Sequence, residues 1–197
     1  MADAFSTIDK IRYFGALLIE IGVPPAVLYW FLVHPFIRFW RRLGVRTSIV
    51  LLFALMVVLG YGMYLIRQPL LAVDFGFQWP LAVLGVVLYL LAVRFQFKIG
   101  SQLKGRIATG IPEIEGHAEQ SPLLTEGVYT RSRNPRYLNV MFIVSAFALM
   151  TNYFFVWAMT AVTPLALYLI VQLEEKELLQ RYGDEYRDYC EQVPRFL

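Results

Sequence analysis

The sequence predicts an all-α integral membrane protein with about five transmembrane helices, the last two forming a C-terminal helical hairpin, followed by a cytoplasmic amphipathic helix. Three observations carry that expectation. Of 197 residues, 58% are hydrophobic and only 17% charged, and the mean hydropathy of +0.53 lies outside the range of soluble domains. Apolar stretches approach the roughly 20 residues that a helix needs to cross about 30 Å of hydrocarbon. Finally, the basic residues gather on alternate connections between those stretches.

The first stretch, 14–37, contains Glu20, Pro24-Pro25 and His34, which predicts a kinked span whose polar groups face other helices. Its N-terminal flank carries Asp3 and Asp9 and lacks the basic segment and cleavage site of a signal peptide, so it is expected to remain as an anchor. The second stretch, 49–66, is the plainest lipid-facing span, and the third covers 79–97. A fourth, 138–150, is short but is lengthened by Pro135, a residue suited to the first turn of a helix. Thr151-Asn152-Tyr153 reads as a tight turn into the fifth, 154–173, so these two form the hairpin.

Lys and Arg set the orientation. With the N-terminus outside, fifteen basic residues fall on the inner segments 38–48, 94–137 and 174–197, against Lys10, Arg12 and Arg67 outside. This bias predicts an outer N-terminus and a cytoplasmic C-terminus, and the expected location is a bacterial inner membrane. The organisation is then 1–99 with the first three spans, a polar Gly- and Pro-containing loop at 100–126, and 127–197 with the hairpin and the C-terminal helix. The loop reads either as a substrate-facing lid or as a plain connection. Beyond the fifth span, Leu178, Leu179, Tyr182, Tyr186 and Tyr189 recur at three- and four-residue steps, as in an amphipathic helix that Gly183 interrupts.

Little else carries chemistry. Cys190 is the only cysteine and lies outside any CxxC pair. His34 and His117 are too few and too distant for a zinc or di-iron site, so no metal is expected. No strand-linked glycine-rich fingerprint marks a dinucleotide fold, and the partners expected are the bilayer and a lipidic small molecule, without nucleic acid.

The informative residues bracket the hairpin. Tyr129, Arg131, Arg133, Asn134, Arg136 and Tyr137 precede or open its first helix, while Gln172, Glu174, Glu175 and Glu177 close its second. The proposed topology brings both ends to the inner interface. A basic cluster facing a carboxylate pair can hold a zwitterion. It can equally form an internal salt-bridge network that closes the hairpin.

Taken together, GVYTRSRNPRYLNV, the hairpin and LEEKELLQRYGDEYRDYCEQVP resemble the membrane-embedded methyltransferases related to isoprenylcysteine carboxyl methyltransferase and phospholipid N-methyltransferase. The shared pattern is a Gly-x-Tyr, an Arg-His/Asn-Pro-x-Tyr opening a helical hairpin, and a Glu-Glu followed by an aromatic-Gly-x-x-Tyr-x-x-Tyr. Gly127, Tyr129, Arg133, Asn134, Pro135, Tyr137, Glu174, Glu175, Tyr182, Gly183, Tyr186 and Tyr189 fit it in order, across residues 127–195. The resemblance implies a cytoplasm-facing pocket for S-adenosylmethionine, held by Tyr129, Arg133, Asn134, Pro135, Tyr137, Glu174 and Glu175. It implies methyl transfer to a lipidic acceptor, with Glu174, Glu175 or Tyr137 as available bases. Arg131 and Arg136 lie outside the pattern and suit a collar against anionic lipid.

Two departures bear on the acceptor. Asn134 stands where the carboxyl-methylating branch has His, and YLIVQLEE lacks the arginines that branch carries before its glutamate pair. Both shift weight from a prenylcysteine-like carboxylate toward a phospholipid amine. Two other readings compete with the methyltransferase. One is an NADPH-dependent reductase, since sterol reductases resemble this family in the same hairpin but carry additional spans. The other is a non-catalytic lipid-binding membrane subunit whose arginines act only as a sum of charge.

Overall fold

The structure is a computed structural model and describes residues 6–103 and 122–196. It contains α1 (Thr7–Val33), α2 (Ile37–Leu43), α3 (Val45–Leu65), α4 (Arg67–Leu70), α5 (Trp79–Leu103), a 3-10 turn (Gly127–Thr130), α6 (Pro135–Thr151), α7 (Phe154–Tyr182) and α8 (Asp184–Gln192). No strand occurs among the described residues. Among the described residues four helices, α1, α3, α5 and α7, are long and apolar enough to cross a membrane, while α6 has 17 residues. The chain is an all-α membrane protein.

The shortness of α6 has a physical reason. It occupies the middle of the bundle, packed against α1, α5 and α7, and Tyr137, Leu138, Val144, Ala146 and Ala148 on it are buried. A helix enclosed by longer neighbours need not span the hydrocarbon by itself. In contrast, α3 and α5 leave apolar surface outward, including Leu51, Phe53 and Val58 on α3 and Leu84, Leu90 and Leu91 on α5. That surface suits contact with acyl chains.

α1 begins at Thr7, well before the expected start of the span, because Ser6 and Asp9 form a reciprocal cap at its N-terminus. It ends at Val33, leaving His34 in the turn that leads to α2. Glu20 and His34 are both buried among neighbouring helices, as their sequence context predicts.

The far end of the hairpin is fixed by a polar clasp. Asn152 ends α6 in the left-handed region at φ 56°, where asparagine is tolerated, and its side chain donates to the Gly76 carbonyl at 3.0 Å while accepting from Trp157 Nε1 at 3.0 Å. The Phe75 amide donates to the Asn152 carbonyl and the Phe154 amide to that of Val73. Arg12, buried on α1, donates to the Thr151 carbonyl at 3.0 Å and pairs with Asp9 and Asp74. This clasp leaves the opposite end of the hairpin to carry the charged residues.

Two further boundaries differ from the sequence expectation. α5 runs on to Leu103, so the expected loop starts inside a helix, and residues 104–121 of that loop lie outside the described residues. α7 continues unbroken through the glutamates to Tyr182, which makes the first half of the expected amphipathic helix an extension of the fifth span. Gly183 then turns the chain at φ 57°, ψ −124°, a conformation open essentially to glycine alone. The turn folds α8 back so that Tyr186, Tyr189 and Val193 pack with Leu178 and Tyr182.

Candidate functional site

Asn134 holds the N-cap position of α6 but its side chain does not cap it. Its Nδ2 donates instead to Glu175 Oε1 at 3.1 Å and to the Arg195 carbonyl at 3.1 Å. Pro135, fully buried, fills the first turn where no amide is needed. The residues 131–137 therefore leave the 3-10 turn, pass beneath the C-terminal segment and enter the helix in one tight course. Ser132 Oγ accepts from the Asn134 amide at 3.3 Å, and the Arg133 amide donates to the Pro194 carbonyl at 3.0 Å.

Glu175 is the hub of this arrangement. Its side chain is about one-tenth exposed and faces Arg133 at 3.3 Å on one oxygen, while the other accepts from Arg195 Nε and Nη2 at 3.0 and 2.8 Å. Two arginines and an amide donor around one buried carboxylate satisfy its lone pairs, the condition under which a buried charge is tolerated. Arg133 Nη1 also donates to the Cys190 carbonyl at 3.2 Å, whereas its Nε is buried without a partner among the described residues.

Glu174 belongs to a second cluster beside the first. Tyr137 donates its hydroxyl to Glu174 Oε2 at 2.5 Å, and Arg136 lies 3.5 Å from Oε1 and 3.1 Å from the Tyr137 hydroxyl. The Arg136 guanidinium also sits over the Trp30 ring of α1, 4.7 Å from its centroid, a cation–π placement. Burial raises the Tyr129 hydroxyl to about 12, with the Arg136 cation opposing and the Glu174 charge adding to the rise, so Tyr129 keeps its proton at neutral pH. Its backbone carbonyl accepts from the Tyr189 hydroxyl at 2.7 Å, which ties α8 to the 3-10 turn. Gly127 enters that turn at φ +63° with the Gln102 side chain occupying the space a Cβ would need. Gln102 in turn accepts from the Val128 amide at 3.2 Å.

Every site residue expected from the sequence is thus placed at one end of the hairpin, and Arg133, Asn134, Tyr137, Glu174 and Glu175 are in direct contact within two adjoining clusters. The two arginines outside the sequence pattern part company. Arg131 is exposed, as a lipid collar requires, whereas Arg136 is drawn inward against Glu174, Tyr137 and Trp30, so for Arg136 the structure replaces the collar by the second cluster. Arg195 was missed because nothing in its spacing links it to Glu175; only the return of the chain after α8 joins them. Trp30 and His34 were missed as site neighbours for a similar reason, since the register of α1 against α7, which sets His34 beside the expected Glu177, is a tertiary fact.

An open groove of about 510 Å³ runs alongside, between Thr125 and Thr130 on one wall and Glu185, Asp188, Tyr189 and Gln192 on the other. The Glu174 and Glu175 clusters lie outside its lining.

A model of the phospholipid methyltransferase family matches residues 81–185. The chain belongs to the phospholipid methyltransferase family. The family region comprises most of α5, the 3-10 turn, α6, α7 and the first two residues of α8, so it contains both charged clusters except Arg195. It begins earlier than the 127–195 stretch on which the sequence resemblance rests, bringing α5 into the family region. Membership makes the chain a membrane methyltransferase within the superfamily that also contains the isoprenylcysteine methyltransferases. No curated protein and no solved structure gives a match.

Proposed function

We propose that this phospholipid methyltransferase family member transfers a methyl group from S-adenosylmethionine to a lipidic, membrane-embedded acceptor, at a site on the cytoplasmic side. One observation carries the reading: residues some forty positions apart, Asn134 with Glu175 at 3.1 Å and Tyr137 with Glu174 at 2.5 Å, converge at one end of the hairpin. The positive-inside bias supports putting that end in the cytosol, with the N-terminus outside.

The chemistry of the donor set fits such a cofactor. The unpartnered Arg133 Nε and the first-turn amides of α6 are donors of the kind a carboxylate takes. Glu174, at the less enclosed of the two clusters, suits an ammonium or hydroxyl. Tyr129 and Tyr137 offer aromatic surface, and Glu175 holds Arg133 and Asn134 in position from behind. When bound, the cofactor supplies a methyl carbon on a sulfonium, open to in-line displacement. The protein's tasks are then to align the acceptor and to keep water out. An acceptor with acyl chains can reach this interface sideways from the bilayer, while the cofactor arrives from the cytosol.

The test is calorimetry on the purified protein in detergent. S-adenosylmethionine should bind the wild type and fail to bind Arg133→Ala and Glu175→Ala variants that retain helical circular dichroism. No binding to a well-folded wild type overturns the reading. Radiolabelled cofactor with native membranes should then place label in lipid, whereas labelled protein bands would redirect the acceptor to a protein-borne carboxylate.

A further inference from the structure

A methyl acceptor that is an ammonium at neutral pH must lose a proton before its nitrogen can attack. The carboxylates and phenol within the clusters are committed to other partners. Both oxygens of Glu175 are held by Asn134, Arg133 and Arg195. Those of Glu174 face Tyr137 and Arg136, and the Tyr137 hydroxyl already donates its hydrogen bond to Glu174.

A titratable group beside them has an unpartnered ring nitrogen. His34, just past the end of α1, is about 5% exposed, and its Nδ1 lies 3.3 and 3.4 Å from the two oxygens of Glu177 on α7. Its Nε2 is buried and has no partner among the described residues. The ring stacks on Trp30 at 5.4 Å between centroids and 22° between planes, and Trp30 is the residue over which Arg136 lies and which packs against the apolar cluster that includes Tyr137. An Nδ1–H held by a carboxylate leaves the Nε2 lone pair directed away from it, the arrangement that orients a histidine for proton transfer.

We propose that His34, oriented by Glu177, is the general base that deprotonates the amine acceptor of the methyl transfer. The inference rests on the methyltransferase reading above. The acceptor's N–H bond breaks with its electron pair left on nitrogen, and the proton bonds to Nε2. The imidazolium so formed faces the Glu177 carboxylate, then returns the proton to water at the cytoplasmic face between turnovers. His34 lies outside residues 81–185, so this assignment does not come from the family match. Arg38, Arg41 and Arg42 on α2, exposed a few residues beyond, are cations of the kind a lipid phosphate meets beside its amine.

The charged groups around the ring come from two helices. Burial lowers the affinity of His34 for a proton, but the hydrogen bond to Glu177 and the charges of Glu174 and Glu177, all on α7, outweigh burial and the Arg136 cation from α6, so His34 titrates above its ordinary value of 6.5. A base must be neutral to work, so turnover should rise with pH through that raised value. Removing the Glu177 charge should move this acid limb to lower pH.

The experiment uses the full-length protein in nanodiscs containing phosphatidylethanolamine, with labelled S-adenosylmethionine, and compares wild type, His34→Gln and Glu177→Gln. His34→Gln should lower kcat by about 10²- to 10⁴-fold with cofactor affinity and thermal midpoint unchanged, and the deficit should shrink toward alkaline pH as free amine accumulates. Glu177→Gln should fold, bind cofactor and shift the acid limb downward. A readout independent of turnover is imidazole NMR without cofactor: the chain has two histidines, so His34→Gln identifies the signal, which should titrate lower in Glu177→Gln.

Full kcat in His34→Gln at all pH values, or an unmoved His34 titration in Glu177→Gln, overturns the proposal. Loss of cofactor binding in His34→Gln overturns it too, by placing His34 in the cofactor pocket. Absence of cofactor binding in the wild type is a distinct result, seen by calorimetry alone, and it overturns the methyltransferase reading with everything built on it.

Discussion

Arg133 and Arg136 show how much a single position decides when charge is similar everywhere around it. Arg133 needs its fork: one arm reaches Glu175 and another the Cys190 carbonyl, contacts a compact ammonium cannot make together. Arg136 needs its plane, which rests over Trp30 and beside the Tyr137 hydroxyl. Arg131 is exposed and has no such demand. Arg133→Lys and Arg136→Lys should therefore each weaken cofactor binding at least tenfold, about 1.4 kcal/mol, while Arg131→Lys stays at the wild-type value. Calorimetric titration of the three variants checks this, and equal effects at all three positions would return the cluster to a plain sum of charge. The motif spacing made Arg133 legible as a site residue. It made Arg136 look dispensable, because its partner Trp30 lies more than a hundred positions away.

At the scale of elements, the site depends on α8 being folded back. Gly183 alone makes that reversal, at φ 57° and ψ −124°, so a side chain there is strained whatever the space around it. Gly183→Ala should cost about 1–3 kcal/mol, read as a lower thermal midpoint. It should also loosen the contacts α8 and its tail make with the site, from the Tyr189 hydroxyl to the Tyr129 carbonyl and from Arg195 to Glu175, and so reduce cofactor affinity. A variant with unchanged midpoint and affinity would show that α8 takes its position from the Tyr186, Tyr189 and Val193 packing alone. Periodicity revealed the aromatic face of this segment and the break at Gly183. That α7 carries the glutamates on a continuous helical extension was less visible, because the change from apolar to charged residues looks like the end of a helix and is only the end of its membrane-embedded part.

For the whole molecule, the two ends of the bundle are built differently. One end is closed by backbone and amide hydrogen bonds around Asn152 and by buried Arg12; the other gathers arginines, carboxylates and tyrosines. The basic-residue asymmetry is our ground for proposing that the second end faces the cytosol. Cys190, the sole cysteine and only partly buried, reports on this directly. A membrane-impermeant maleimide should label it in inverted vesicles and leave it unlabelled in intact cells. Labelling from the outside of intact cells would invert the topology and remove the cytosolic cofactor from the reading.

What the sequence determined by itself was the solvent of the protein and the course of its chain. Hydropathy, charge placement and punctuation by Pro135, Asn152 and Gly183 act over short range, so each is readable where it stands. The residues of the hairpin's two ends were legible for the same reason, each set being a local motif. Which of them share a proton, which carboxylate is enclosed, and which aromatic and histidine of α1 stand beside them were settled only by tertiary structure. Those contacts depend on the rotation and depth of one helix against another, quantities that a lipid-facing apolar surface leaves open and that packing around the short, buried α6 fixes.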